Sequence, residues 1–359
     1  MDTTDLEIQF DNNGICNHCT QFFKKREELK KLGQLGEENL SKIISVIKNR
    51  GKNKKYDVLL GISGGVDSCY LAYVLKEMGV RTLLVHMDNG WNTNQAIENI
   101  ESIAKIVGFD YQSYVLNWDE FKDIQLAFLK ASVVEIETPT DVAIQGILHR
   151  IAAKNNIHYI ISGGNINTEG ILPKLWHYNA KDTKYFDFIT KTFGSKKNIS
   201  FPNFGVVTEM YFKFMKRISI IYLLNYLDYN KDEAIKTLEN IGWKHYGGKH
   251  HESLFTKFVQ SYVLPTKYNL DYRKATYSSQ ICSGQMSREE ALELLKLPTY
   301  KAEEVEREKE YVAKKLSISK DELQRIIDLP PKYYYEYPND EIKLNFIYNI
   351  YKKYIQKKE

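Results

Sequence analysis

The residues best suited to chemistry in this sequence lie in the run Ser63-Gly64-Gly65-Val66-Asp67-Ser68, two residues after Gly61. Glycines let backbone N–H groups approach an anion closely, and a helix beginning here would add free N–H donors and the positive end of its dipole. Ser63 and Ser68 add hydroxyl donors, whereas Asp67 would orient the loop, cap the helix or help to hold Mg²⁺. The run predicts a phosphate-binding loop with Ser63, Asp67 and Ser68 in catalytic roles and Gly61, Gly64, Gly65 and Val66 as further contacts.

An alternative for this run is an ordinary strand-turn-helix connection with a capping aspartate. A lone Gly-Gly pair would fit that alternative, but the full Ser-Gly-Gly-x-Asp-Ser string after an apolar run is far more specific and favours phosphate binding. The run has neither the Gly-Lys-Ser/Thr of a Walker loop nor the Gly-x-Gly-x-x-Gly of dinucleotide-binding sites.

The elements that must position this loop follow the pattern of an α/β protein. Apolar runs predict buried strands, and periodic stretches between them predict helices. The predicted strands lie at about residues 57–63, 81–87, 110–116 and 158–162, and the helices at about 68–78, 94–107 and 141–155. Strands that alternate with helices in this way indicate a doubly wound parallel sheet.

The flanking regions differ from this central pattern. An amphipathic helix is predicted at about residues 21–50, with a break near 33–36. Beyond about residue 172, helical periodicity dominates at 211–238 and from 288 onward, whereas 181–204 is polar and irregular. We therefore predict a Cys-x-x-Cys segment and helix at 1–50, a ligand-binding α/β domain at 51–175, and a mostly helical substrate or partner region at 176–359.

Polar residues also follow the other predicted strands, where ligands bind in sheets of this kind. Candidates for contacts to the same ligand as the loop are His86, Met87, Asp88, Gly163, Gly164 and Asn165. Candidates for Mg²⁺ or substrate contacts are Thr140, Asp141 and Glu169. Ordinary turn and cap chemistry explains each of these residues about as well when it is taken singly.

Composition limits the classes of protein that this chain can belong to. Lys and Arg number 50 against 46 Asp and Glu, a net charge of +4, which gives little support for a nucleic-acid partner. No run approaches the roughly 18 apolar residues of a membrane span, and the polar start is unlike a signal peptide. Four cysteines do not form a disulfide framework in a chain this long. We expect a cytoplasmic protein without a membrane partner.

The loop string resembles the PP-loop of the ATP pyrophosphatases, which include GMP synthetase, NAD synthetase, asparagine synthetase and several tRNA-modifying enzymes. The resemblance implies that ATP is the nucleotide and that the loop and Mg²⁺ hold its β,γ-pyrophosphate. It places adenosine near His86-Met87-Asp88. In such enzymes AMP is first attached to a carbonyl-type oxygen, and nitrogen or sulfur then displaces it.

Several later motifs narrow this resemblance. They are Tyr-Gly-Gly-Lys-His-His-Glu-Ser at 246–253, Asp-Tyr-Arg-Lys-Ala at 271–275, and a run at 278–292 that begins Ser-Ser-Gln-Ile-Cys-Ser-Gly-Gln. Together with the Cys-x-x-Cys and His86–Trp91, they resemble the N-acetyl sugar amidotransferases of surface-polysaccharide (lipopolysaccharide O-antigen) and nonulosonic-acid biosynthesis over most of the chain. The resemblance implies a C–N ligase that converts a sugar acetamido group to an acetamidino group, with ammonia from separate glutaminase and cyclase-like subunits.

This resemblance also suggests which residues contact an acetamido sugar or sugar nucleotide. The substrate candidates are Lys249, His250, Arg273, Lys274, Ser283, Gly284 and Arg288. His251 with Glu252 is a candidate for proton transfer during attack by ammonia. A solvated polar surface is an equally good explanation for any one of these residues.

Cys16 and Cys19 have the spacing of zinc ligands, but one such pair cannot close a tetrahedral site. Cys282 or His18 could complete it, and two reduced thiols in a loop are an equally good interpretation. Cys69, on the helix after the loop, fits buried packing.

Two other functions remain open from the sequence. A PP-loop enzyme that modifies tRNA would need a strongly basic face, which the small net charge does not favour. A non-catalytic nucleotide-binding module is disfavoured by the intact Ser63, Asp67 and Ser68.

Overall fold

A computed structural model of the chain describes residues 1–196, 200–245 and 252–354, with side chains described as far as Tyr351. One five-stranded sheet lies at its centre and consists of β1 Val58–Gly61, β2 Thr82–Asp88, β3 Asp110–Val115, β4 Tyr159–Ser162 and β5 Ser219–Tyr222. The strand order is β3-β2-β1-β4-β5, and every neighbouring pair is parallel. The prediction of a doubly wound parallel sheet is confirmed.

Helices flank the sheet and fill the regions before and after it. They are α1 Asn17–Lys31, α2 Leu40–Gly51, α3 Val66–Glu77, α4 Asn94–Val107, α5 Trp118–Lys130, α6 Thr138–Lys154, α7 Ile166–Glu169, α8 Thr183–Phe193, α9 Val206–Met210, α10 Lys231–Asn240, α11 Leu254–Phe258, α12 Leu264–Tyr268, α13 Tyr272–Ser283, α14 Arg288–Lys296, α15 Ala302–Lys315, α16 Lys320–Ile327 and α17 Glu341–Tyr354. Short 3-10 turns lie at Glu37–Asn39, Lys174–Trp176, Leu223–Tyr226 and Tyr334–Glu336, and π-helical turns at Tyr211–Met215 and Val259–Val263.

The two faces of the sheet carry separate apolar cores, because successive side chains of a strand point to opposite faces. Leu59 of β1 belongs to the core under α5 and α6, which also receives apolar side chains from α11, α15 and α16. Val58 and Leu60 belong to the core under α3, α4 and α10. Much of the C-terminal half therefore packs on the α5–α6 face.

Two expectations about the second half were wrong in detail. The stretch 211–238 was expected to be helical but contains β5, because four residues are too few to show a strand period. The stretch 181–204 was expected to be irregular but contains the amphipathic α8, which begins where the Asp182 side chain accepts a hydrogen bond from the Tyr185 N–H. The domain boundaries at 50 and 175 stay predictions, although β5 joins the sheet from beyond residue 175.

The break predicted near residues 33–36 is present. Helix α1 ends at Lys31 and α2 begins at Leu40, with Gly33 and Gly36 between them at positive φ. None of the helices in the described ranges combines the length and apolarity that a membrane crossing needs.

Candidate functional site

The phosphate loop connects β1 to α3, as the sequence predicted. Gly65 is the N-cap of α3, and no side chain caps the helix there, so its first N–H groups stay available to a ligand. Gly64 has φ +83°, and a Cβ at this position would lie 2.5 Å from the carbonyl oxygen of Ala96. Only glycine fits such a position, which explains why the loop needs Gly64 even though this residue does not line the cavity.

Hydrogen bonds within the loop fix its two hydroxyl groups. The Ser63 N–H donates to Ser68 Oγ at 3.2 Å, and the Gly65 N–H donates to Ser63 Oγ at 3.2 Å. The two hydroxyl oxygens lie 3.3 Å apart. The serines therefore hold the loop in shape as well as offering polar groups to a phosphate.

Three side chains from much later in the chain complete the loop. Trp243 Nε1 donates to the Gly64 carbonyl oxygen at 3.0 Å. The Tyr229 hydroxyl donates to Asp67 Oδ1, and burial raises the pKa of Tyr229, which keeps this donor protonated. Ser63 Oγ donates to Glu252 Oε1 at 3.4 Å. Sequence reasoning missed Tyr229 and Trp243, because nothing distinguishes them among 26 tyrosines and four tryptophans.

A cavity of about 610 Å³ opens beyond the loop, at the carboxyl ends of β1, β2 and β4. Most of the predicted ligand contacts line it, namely Gly61, Ser63, Gly65, Val66, Asp67, Ser68, His86, Met87, Gly163, Gly164, Thr140, Asp141, Glu169 and Glu252. Gly64, Asp88 and Asn165 do not line it. Asn165 instead caps α7 by accepting the Thr168 N–H at 2.9 Å.

The end of β2 presents a neutral imidazole to the cavity. His86 Nδ1 lies 3.0 Å from the carbonyl oxygen of Ile62, and its Nε2 lies 3.1 Å from the side-chain amide nitrogen of Asn92. Burial lowers the pKa of His86, so the ring donates through Nδ1 and accepts through Nε2. Asp88 shapes the turn, since its carboxylate accepts the Gly90 N–H at 2.8 Å.

Glu135 is a buried carboxyl group on the cavity wall that sequence reasoning did not select. Its side chain accepts a hydrogen bond from the Tyr185 hydroxyl at 3.2 Å. Burial raises the pKa of Glu135 from 4.5 to about 7. The folded protein therefore holds this proton more tightly than the unfolded chain does.

Glu135→Gln should reduce the loss of stability between acidic and neutral pH. The raised pKa contributes stability that is fully present below pH 4.5 and is lost as the pH rises through about 7. Over that window, wild type should lose up to about 3 kcal/mol relative to Glu135→Gln, whose amide does not titrate. Urea unfolding of both proteins on either side of the window measures this difference, and identical pH profiles would contradict it.

The substrate candidates from the second half are only partly brought to the cavity. Lys249, His250 and His251 lie outside the described residues. Arg273 lines a second, adjoining cavity, but its guanidinium donates to Asp271 at 2.8 Å and to the carbonyl oxygen of Leu297 at 2.9 Å.

Four further candidates line neither cavity. Lys274 forms an ion pair with Asp2 at 2.7 Å, near the start of the chain. Ser283 donates to the carbonyl oxygen of Gln280 at 3.0 Å, Gly284 ends α13 at φ +80°, and Arg288 is exposed at the start of α14. These placements do not support direct contact between these four residues and a ligand in the cavity.

Magnesium fits the carboxylates beside the loop. Among the residues that the structure describes, no group of three or more His, Cys, Asp or Glu side chains is arranged to hold a metal ion alone. Mg²⁺ at phosphate sites is commonly held by one or two carboxylates together with substrate phosphates and waters. Asp67 lines the cavity and would supply one such carboxylate.

Three of the four cysteines lie together on the N-terminal side of the protein. The Sγ atoms of Cys16 and Cys19 are 3.4 Å apart, and the Sγ atoms of Cys19 and Cys282 are 3.6 Å apart. His18 does not join them, because its Nε2 lies 2.5 Å from Asp5 Oδ2. Three thiols are one ligand short of a closed structural zinc site, so zinc stays a prediction that metal analysis of the purified protein would decide. Cys69 is fully buried, as expected for packing.

Comparisons with known proteins match both halves of the chain. Residues 54–167 match the family of the thiamine biosynthesis protein ThiI, and residues 252–353 match the WbpG-like C-terminal domain of lipopolysaccharide biosynthesis proteins. A tRNA(Ile)-lysidine synthase from Chlamydia pneumoniae is 40% identical over 75 residues, which cover 20% of this chain and 23% of that protein. The tRNA-specific 2-thiouridylase MnmA of Clostridioides difficile is 32% identical over 99 residues, which cover 24% and 26%. The matches thus span about a quarter of these relatives.

Two similar solved structures have low scores. The U34-tRNA thiolase NcsA from Methanococcus maripaludis, with its [4Fe-4S] cluster, has a TM-score of 0.34 and 17% identity, over 79% of this chain and 82% of that one. An NH3-dependent NAD synthetase from Campylobacter jejuni has a TM-score of 0.30 and 18% identity, over 59% and 83%. Scores this low do not bear on function. The two family matches, with the observed sheet and loop, show that the chain carries a ThiI-like PP-loop domain and a WbpG-like C-terminal domain, which confirms its resemblance to the N-acetyl sugar amidotransferases.

Proposed function

We propose that this protein uses ATP to convert the acetamido group of a sugar into an acetamidino group, with ammonia from a partner glutaminase. The observation that carries the proposal is the composition of the 610 Å³ cavity. The phosphate loop forms one wall, and the first residues of the WbpG-like domain, including Glu252, Thr256 and Gln260, form another. An ATP-binding element and a domain associated with lipopolysaccharide biosynthesis thus meet at one site.

Backbone pairing fixes the start of the WbpG-like domain over the loop. The Thr93 N–H donates to the Glu252 carbonyl oxygen at 2.9 Å, and the Leu254 N–H donates to the Trp91 carbonyl oxygen at 3.0 Å. The Thr256 hydroxyl donates to Glu137 Oε2 at 2.6 Å, on the opposite wall. Such fixed contacts hold Glu252 beside Ser63, which favours a shared role in one reaction.

The proposed chemistry needs two displacements. The amide oxygen of the sugar attacks the α-phosphorus of ATP, and pyrophosphate leaves while the loop amides, Ser63 and Ser68 hold its charge. Asp67 would hold Mg²⁺ together with the phosphates, and the ion would neutralise part of that charge. Ammonia then attacks the imidate carbon, and AMP departs with the former amide oxygen. Because an amide oxygen is a poor leaving group, adenylation is what makes this exchange possible.

Ammonia must lose a proton during its attack, and Glu252 is the described carboxylate that we assign to accept it. Its Oε1 already accepts the Ser63 hydroxyl, so the acceptor lies next to the phosphate loop. His251, the other candidate, lies outside the described residues. Separate glutaminase and cyclase-like subunits are the partners that we propose for ammonia supply, without a nucleic-acid or membrane partner.

A tRNA-modifying enzyme is the second candidate, because the two curated relatives described above act on tRNA. Their similarity is confined to stretches of 75 and 99 residues. The same assay distinguishes this candidate, since its acceptor would be tRNA and not a sugar.

The decisive assay incubates the protein with ATP, Mg²⁺, ammonium and a panel of acetamido sugars and sugar nucleotides. We expect sugar-dependent AMP release and a product about 1 Da lighter, the difference between NH and O, as the adenylation route requires. Ser63→Ala should slow AMP release, because it removes a group that contacts both Ser68 and Glu252. AMP release that needs tRNA would favour the second candidate, and ATP binding without turnover for any acceptor would favour a non-catalytic module.

A further inference from the structure

A second cavity of about 730 Å³ adjoins the first on the side of the WbpG-like domain. The two cavities share five lining residues, which are Glu169, Leu172, Lys231, Gln260 and Tyr272. The two cavities are therefore immediate neighbours, and a molecule in the second cavity lies beside the first. The second cavity is also large enough for a substrate of the size of a sugar.

The lining of the second cavity is rich in neutral hydrogen-bonding groups. Helix α13 contributes Thr276 and Gln280, and the π-helical turn Val259–Val263 contributes Gln260 and Ser261. Thr299 lies on the wall as well. The side chains of these five residues make no hydrogen bond to any other described residue, so their donors and acceptors are available to a ligand.

The engagement of Arg273 and the aromatic rings in this cavity favour the same kind of ligand. The guanidinium of Arg273 is committed to Asp271 and to a backbone carbonyl, so it is not offered as a binding site for an anion. The rings of Tyr272 and Tyr277 supply apolar surface beside the amides and hydroxyls. Several hydroxyl and amide partners next to aromatic rings complement a pyranose ring, which has many hydroxyl groups and an apolar face.

We propose that the second cavity binds the pyranose ring of the acetamido sugar and directs the acetamido group past Gln260 and Lys231 into the ATP cavity. Lys231, the first residue of α10, lines both cavities. This assignment rests on the proposed function. It replaces Lys274, Ser283, Gly284 and Arg288, which the sequence suggested as substrate contacts, with the neutral side chains of α13 and the π-helical turn.

The test fills the second cavity without touching the phosphate loop. Thr276→Trp places a large ring in it, and Thr237→Trp, on α10 and outside both cavities, is the matched control. Gln280→Leu, of nearly unchanged size, removes one hydrogen-bonding group if the larger substitution fails to fold. Calorimetric titration with ATP, and separately with N-acetylglucosamine, UDP-N-acetylglucosamine and N-acetylneuraminic acid, measures the two kinds of binding independently of turnover.

We expect Thr276→Trp to abolish sugar binding and Gln280→Leu to weaken it about tenfold, as the loss of one hydrogen bond predicts. ATP affinity should stay within about twofold of wild type, because the ATP cavity is unchanged. Sugar binding that survives Thr276→Trp, or no sugar binding to wild type, would overturn the proposal. The two proposals can fail separately. Normal sugar-dependent AMP release by Thr276→Trp would reject the second cavity as the sugar site but would leave the proposed function standing. Sugar binding to wild type without AMP release would reject the proposed function but would leave the second cavity as the sugar site.

Discussion

Asp67→Asn should lower the rate of sugar-dependent AMP formation by about 100-fold or more, the usual cost of losing one charge-stabilising group. Asparagine keeps the size of the side chain and can still accept the hydrogen bond from Tyr229. It keeps a polar side chain in the first turn of α3, but it lacks the negative charge that would hold Mg²⁺. The variant therefore separates a role in magnesium binding from a role in shaping α3. The measurement is the initial rate of AMP release as a function of Mg²⁺ concentration.

Two further variants sharpen that result. Tyr229→Phe removes the hydroxyl group that orients Asp67, and we expect a smaller loss, about tenfold, together with a higher Mg²⁺ requirement. Asp119→Asn changes an exposed carboxylate in the first turn of α5 and should have no effect on the rate. Near wild-type turnover by Asp67→Asn would mean that Asp67 serves only the loop structure, and would remove it from the magnesium site.

Gly64→Ala should lower kcat/KM by about 100-fold, the scale reported for displacing a reactive geometry by about 1 Å. Two effects combine at this position. The backbone has φ +83°, which costs an L-residue roughly 1–2 kcal/mol. The new Cβ would also lie 2.5 Å from the Ala96 carbonyl oxygen, so the loop or α4 must move. The measurements are ATP affinity by calorimetry and kcat/KM for AMP release.

The control for this prediction is Gly108→Ala at the end of α4. Gly108 has a similar φ of +68°, but nothing lies within 4 Å of the added Cβ. It therefore carries the backbone strain without the collision, and should reduce stability by about 1 kcal/mol with ATP affinity unchanged. If Gly64→Ala and Gly108→Ala behave alike in ATP binding, the close approach of the loop to α4 is not what the site requires.

The α/β half of the fold could be predicted closely because its signals are local. Buried strands such as Val58–Gly61 are short apolar runs, and the Ser-Gly-Gly-x-Asp-Ser string marks the turn that follows. Helix α4 matches its predicted span at Asn94–Val107, since Thr93 caps it and Gly108 ends it. Local chemistry sets all of these features, so one sequence is enough to see them.

The parts that could not be predicted depend on contacts between distant residues. Tyr229 reaches Asp67 across 162 residues, and Cys282 reaches Cys19 across 263. The second cavity requires α13 and the π-helical turn Val259–Val263 to be adjacent, which no periodicity indicates. Arg273 and Lys274 looked like substrate ligands because they are basic, whereas the structure commits both to nearby carboxylates.

The residues that hold the loop in place are synthesised much later than the loop itself. Domains fold as the chain emerges, from the N-terminus onward. The residues that tether the loop, Tyr229, Trp243 and Glu252, leave the ribosome long after Ser68 has done so, and β5 completes the sheet only in the same interval. A nascent chain that stops short of these residues carries the entire loop sequence but lacks its fixed geometry. The geometry of the loop therefore depends on residues that are synthesised as many as 189 positions after Ser63.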